Sequence, residues 1–84
     1  MKVLKFYASW CAPCKGLAMI VDGIKDEVDI PFEDVNIEEQ LELAAKYGIR
    51  SVPTMVIVDD EGVEIKRQSG MLNEEQLLAF IDVE

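Results

Sequence analysis

The 84-residue chain predicts an α/β fold of order βαβαββα, a four-stranded mixed sheet flanked by three helices. Three observations carry that prediction. Four short segments, "KVLKFYA", "IPFEDVNI", "TMVIV" and "VEIKRQ", have strand patterns, and two of them are only "DDEG" apart, the spacing of a hairpin. Leu17, Ile20, Val21, Ile24 and Val28 recur at spacings of three and four, as on one face of a helix. A strand followed by a helix and another strand requires a crossover, and so a parallel pair.

The first strand covers residues 2–8 and carries Val3, Phe6 and Tyr7. "KGLAMIVDGIKDEV" is the first helix; Pro13 suits its first turn, where a missing N–H is no loss. Gly16 and Gly23 weaken it by up to ~1 kcal/mol each. Residues 30–37 are a second strand, with Pro31 near its start. A second helix is expected over 38–48, with Glu38 and Glu39 in its first turn and Lys46 in its last, as the helix dipole favours. Gly48 suits a left-handed stop, and Ile49 folds back on the helix. Residues 54–58 form a continuous apolar strand fit for a sheet centre, and 54–68 a hairpin. The last helix is expected over 73–83, capped by Asn73 with Gln76 completing a capping box. No repeat or linker interrupts residues 1–84, so one domain is expected.

Composition narrows the function. Seventeen acidic residues against eight basic ones give a net charge of −9, which excludes the basic stripe that nucleic acid requires. The acidity serves solubility, or steering toward a basic partner. No apolar run approaches the ~18 residues of a membrane span, and the start lacks a signal-peptide pattern. A cytoplasmic protein with no membrane partner, acting as a monomer, is therefore expected. The two cysteines, Cys11 and Cys14, close too small a loop to constrain the unfolded chain much. At this spacing a pair serves redox chemistry or a metal. A single pair in a chain without histidine supplies two ligands, so a metal site would need a dimer, and no metal is expected.

Cys11 lies where a strand hands over to a helix. Helix N-termini offer free N–H groups and partial positive charge, and both favour a thiolate. Cys11 is thus the expected nucleophile. Cys14 lies about one turn further on nearly the same face, within bonding reach, and is the expected resolving thiol.

"WCAPC" after a strand, "YGIRSVPT" further along and "GMLNEEQL" near the end together resemble the thioredoxin family over most of the chain. The resemblance implies a thioredoxin-like fold and a protein-disulfide oxidoreductase with no cofactor beyond its redox-active disulfide. Pro53 matches the family's cis proline opposite the cysteines. It implies that Val52 and Pro53 flank a groove for an extended substrate segment, that Gly70 leaves room on its other side, and that Trp10 stands beside the nucleophile. Ala12 and Pro13, between the cysteines, and Met71, next to Gly70, complete the expected substrate-binding set. A thioredoxin reductase would recharge the pair, and ribonucleotide reductase is one acceptor implied by the family.

Three departures stand out. The residues between the cysteines are Ala-Pro where the family has Gly-Pro. The usual first strand and helix have no counterpart, which is the minimal arrangement seen in glutaredoxin. The family keeps a buried aspartate six residues before the first cysteine, where this chain has Lys5, and a lysine on the next strand, where it has Asp34. The two charges have traded places, and a swapped ion pair under Cys14 is expected, because a lone buried ammonium is costly. The alternative is a Lys5 that reaches past the sheet to water beside a solvated Asp34. As a neutral amine Lys5 would take the Cys14 proton; as an ammonium it would attract the thiolate. Lys5 and Asp34 therefore join the cysteines as candidate catalytic residues. Two other functions remain open: a glutathione-dependent, glutaredoxin-like enzyme, with Lys15 and Arg50 as carboxylate ligands, and a binding subunit that uses the same surface without turnover.

Overall fold

Local sequence accounts for most element boundaries. The structure, a computed structural model, describes residues 1–82. Strand β1 spans Lys2–Tyr7 and helix α1 Ala12–Ile24, followed by a 3-10 turn at Lys25–Glu27. Strand β2 spans Phe32–Asn36, helix α2 Leu41–Lys46, strands β3 and β4 Thr54–Val58 and Glu64–Ser69, and helix α3 Glu74–Ile81. The expected extension of α3 to Val83 lies outside the described residues.

The sheet order is β2-β1-β3-β4. The α1 crossover makes β1 and β2 parallel, with Lys5 opposite Asp34 and Tyr7 opposite Asn36. The β1–β3 and β3–β4 pairs are antiparallel. Every residue of β3 is buried, as its unbroken apolar run requires of an inner strand. Alternation along β1 then sorts the core. Val3 joins Met55 and Ile57 beneath Leu17, Val21 and Ile24 of α1 and Leu77 and Phe80 of α3. Leu4 and Phe6 face the other way, toward Val35, Val56 and Tyr47 near the end of α2. Two helices thus cover one face and a short one the other. Lys5 and Tyr7 share the α1 face with Val3, because side chains in a strand repeat every second residue.

Strand β2 is shorter than the expected 30–37 and several other ends shift by one to three residues; three of the differences have a visible local cause. Helix α2 starts at Leu41, not at residue 38. Asn36 diverts the chain: its Oδ1 accepts the Glu38 N–H at 2.8 Å, and its carbonyl accepts the Glu39 and Gln40 N–H groups at 3.2 and 2.9 Å. This side-chain turn replaces the first helical turn, so Glu42 rather than Glu38 and Glu39 occupies the negative-charge position of α2. Helix α1 tightens to 3-10 geometry after Ile24 because Val28 is already extended, and last turns commonly tighten this way. Strand β4 begins one residue late. The Asp59 carboxylate accepts the Glu61 and Val63 N–H groups, both at 2.9 Å, and draws Val63 into the turn.

One helix stop and one helix start behave as read from sequence. Gly48 has φ +62°, the Gly48 N–H reaches the Ala45 carbonyl and the Ile49 N–H the Ala44 carbonyl, which is a Schellman motif. Asn73 and Gln76 exchange both bonds of a capping box, at 2.7 and 2.9 Å.

Candidate active site

The end of β1 builds the site. Residues 8–11 turn back so that the Cys11 N–H donates to the Ala8 carbonyl at 3.1 Å. Cys11 is extended, with φ −91° and ψ 104°, and is the N-cap of α1. Its Sγ accepts the Cys14 N–H at 3.2 Å, so sulfur takes the place that a serine or aspartate oxygen ordinarily fills. Pro13 sits in the first turn as expected. The Cys11 and Cys14 sulfurs are bonded, with Cα atoms 5.3 Å apart. Both cysteines are buried with Ala8, and Tyr7, Ile37 and Val52 pack against them.

Two distant segments flank this pair. The Val52–Pro53 peptide is cis, and the Pro53 carbonyl accepts the Gly70 N–H at 2.8 Å. Gly70 has φ +89°, a conformation that a side chain would strain. Val52 touches the cysteine cluster, and the Met71 thioether lies beside Gly16, where an added Cβ would stand 3.3 Å from its methyl. Trp10 is 69% exposed, and Ala12 and Pro13 are exposed in the first turn of α1. Trp10 is therefore no core residue. Val52 is brought to the cysteines by tertiary contact, Gly70 is tied to Pro53 beside it and Met71 reaches Gly16 of α1, whereas Trp10, Ala12 and Pro13 are next to the cysteines by sequence adjacency.

On the β2 side of Cys14 the swapped charges meet. Lys5 Nζ lies 3.1 Å from Asp34 Oδ1. The Lys5 side chain is 8% exposed and that of Asp34 64%, so the ammonium lies inside and the carboxylate faces water. The pair borders a cavity of about 240 Å3 that Tyr7, Ser9, Cys14 and Lys15 also line. Tyr7 is expected from sequence only as a residue of the first strand. The structure half-buries it against the cysteines, and its signal was its place two residues after Lys5, on the same sheet face. Ser9 donates from Oγ to Glu38 Oε1 at 3.2 Å, which ties the cysteine loop to the turn after β2. Arg50 is exposed and does not line this cavity.

The chemistry available is that of a helix-capping sulfur bonded to a second sulfur one turn on. Among the described residues no group of three His, Cys, Asp or Glu side chains is placed to hold a metal ion, and no helix is long and apolar enough to cross a membrane. The family model described as thioredoxin matches residues 1–83. A thioredoxin from Pseudomonas aeruginosa is 33% identical over 82 residues, 95% of this chain and 75% of that protein. One from Chlamydia caviae is 32% identical over 81 residues, covering 95% and 78%. Among solved structures, a mutant thioredoxin from Halobacterium salinarum NRC-1 superposes with a TM-score of 0.87 at 32% identity, covering 95% of this chain and 70% of that one. The thioredoxin of Fasciola hepatica gives 0.84 at 38% identity, covering 94% and 75%.

Proposed function

This chain belongs to the thioredoxin family and is a thiol–disulfide oxidoreductase, and from that premise we propose that it reduces protein disulfides with Cys11 as nucleophile and Cys14 as resolving thiol. The carrying observation is the Cys11 sulfur at the N-cap of α1, accepting the Cys14 N–H. That donor and the helix terminus favour a thiolate at Cys11 once the pair is reduced. The Cys11 thiolate attacks one sulfur of a substrate disulfide and expels the other as a thiolate. The Cys14 thiolate then attacks Cys11 Sγ, releases the second substrate thiolate and restores the Cys11–Cys14 bond. Two electrons pass to the substrate, and the protons of the two thiols end on its two thiolates.

The exposed Trp10, Ala12 and Pro13, with Val52, Pro53, Gly70 and Met71, bind the extended substrate segment. Lys5 favours the Cys14 thiolate from below, and Asp34 holds the ammonium from the water-facing end of the pair. A thioredoxin reductase recharges the disulfide, and ribonucleotide reductase is an acceptor by family analogy. The working unit is a cytoplasmic monomer, one domain over residues 1–84, with no metal.

The test is reduction of insulin disulfides, driven separately by thioredoxin reductase with NADPH and by glutathione. Turnover with the reductase, abolished in Cys11→Ser, is expected. Cys14→Ser should accumulate a mixed disulfide between Cys11 and insulin. Turnover with glutathione alone would make the protein glutaredoxin-like, and activity surviving Cys11→Ser would remove the proposed nucleophile.

A further inference from the structure

Two glycines lie inside helix α1, and both cost it stability relative to alanine. Their surroundings differ. A Cβ added at Gly23 would meet nothing within 4 Å. One added at Gly16 would stand 3.3 Å from the Met71 Cε and 3.7 Å from its Sδ. The first of these distances falls inside the about 3.5–4.0 Å at which non-bonded carbons pack best. The bare backbone of Gly16 is thus a seat for the end of the Met71 side chain. The backbone that carries Met71 is held on both sides. Gly70 donates its N–H to the Pro53 carbonyl at 2.8 Å, and Leu72 is buried in the core with Leu17. A side chain at residue 16 would therefore displace the Met71 thioether, not the chain behind it.

Gly16 follows Ala12 and Pro13 by four and three residues, so it lies on their face of α1. Met71 follows Gly70 directly. The thioether thus crosses from the Pro53–Gly70 wall of the groove to the wall made by α1. Met71 is 48% exposed, so nearly half of the residue is open to a bound segment. An unbranched thioether adapts its shape to different apolar groups.

We infer that Gly16 is a positioning residue for substrate selection. By seating the Met71 thioether between the two walls, it sets an apolar contact for a side chain next to the substrate cysteine, and so favours disulfides flanked by apolar residues. The inference rests on the disulfide reduction proposed above and names its substrate class. A polar side chain at that place would have to lose water against the thioether without gaining a hydrogen bond, which disfavours it.

Two disulfide-linked peptides are compared as substrates in turnover driven by thioredoxin reductase and NADPH. In one the cysteines are flanked by Leu, in the other by Asn, which has nearly the same shape. For the wild-type protein, kcat/KM for the Leu peptide should exceed that for the Asn peptide about tenfold. Gly16→Ala should cut this ratio about threefold. It should leave kcat for the Leu peptide unchanged, because a binding contact is disturbed and the thiols are not. In a Met71→Ala background, Gly16→Ala should leave the ratio where Met71→Ala alone puts it. Gly23→Ala, on the same helix, should keep the wild-type ratio. A wild-type ratio near one overturns the inference. So does an unchanged ratio in Gly16→Ala, or an equal fall with and without Met71, which would make Gly16 act without it. Met71→Ala alone should bring the ratio close to one, and an unchanged ratio there overturns the inference even if Gly16→Ala does not fold. Wild-type protein that reduces neither peptide nor insulin would fail the dithiol reading itself, a result distinct from a lost preference.

Discussion

At residue scale, the positions that matter most are those whose chemistry departs from their surroundings. Lys5 is a charged side chain in the run Val3–Phe6 that is otherwise apolar and buried. Its 3.1 Å contact with Asp34 supplies the partner that a buried ammonium requires. Replacing Lys5 by Met keeps the aliphatic stem and removes the charge. In a Cys11→Ser background, Lys5→Met should move the pH profile of Cys14 alkylation to higher pH, because the thiolate loses a nearby cation. An unmoved profile would take Lys5 out of the thiol chemistry. Glu64 shows the same electrostatics at the surface. The Arg67 Nε donates to its Oε2 at 2.8 Å, and this bond holds the Glu64 carboxyl below the usual carboxylate range. A lowered folded value stabilises the protein above the unfolded value, and that contribution is lost as pH falls through the folded one. Both side chains are about one-third exposed, so screening limits the effect to at most about 0.5 kcal/mol. Arg67→Gln should return the Glu64 titration, followed by NMR, to the ordinary range.

At the scale of elements, local signals account for most of what is observed. The capping box at Asn73 and Gln76 and the left-handed stop at Gly48 are both in place. Each depends on bonds within a few residues, so sequence specifies them directly. Asn73→Ala should cost about 1 kcal/mol, read as a fall of about 4–8 °C in Tm for a domain of this size. A loss near zero would mean that packing of Leu77 and Phe80, not the cap, fixes the start of α3. The start of α2 was less legible. Glu38 and Glu39 have the composition of a helical first turn, but Asn36 competes for the same N–H groups from the preceding strand end. Reading helix dipole preferences without that competing side chain places the boundary too early. Met71 and Gly16 show a similar limit: their contact joins α1 to the segment before α3, and neither residue's local pattern announces it.

For the whole molecule, stability rests on two cores separated by one sheet. The larger, under α1 and α3, includes the fully buried Leu77. A domain of this size has only about 5–15 kcal/mol in hand, so Leu77→Ala, at about 2–5 kcal/mol, should remove a large share of it in urea or thermal unfolding. Val63 is exposed in the β3–β4 turn, and Val63→Ala should change stability by less than about 0.5 kcal/mol. Equal effects would contradict the assignment of the core. The sequence by itself determined the element order, the placement of Cys11 and Cys14 at a strand–helix junction, and the helix stops, because periodicity and capping act over a few residues. Family resemblance could name Lys5 and Asp34 as partners. Only the parallel register of β1 with β2 puts them opposite each other, and only the turn of β1 into α1 sets that pair beside Cys14. Likewise Val52–Pro53 and Gly70 come together through the β3–β4 hairpin, and the cavity exists because α1 and the sheet leave space between them. Those features are products of non-local packing. A pattern read along one segment carries no term for the distance to another, so the tertiary structure alone decided them.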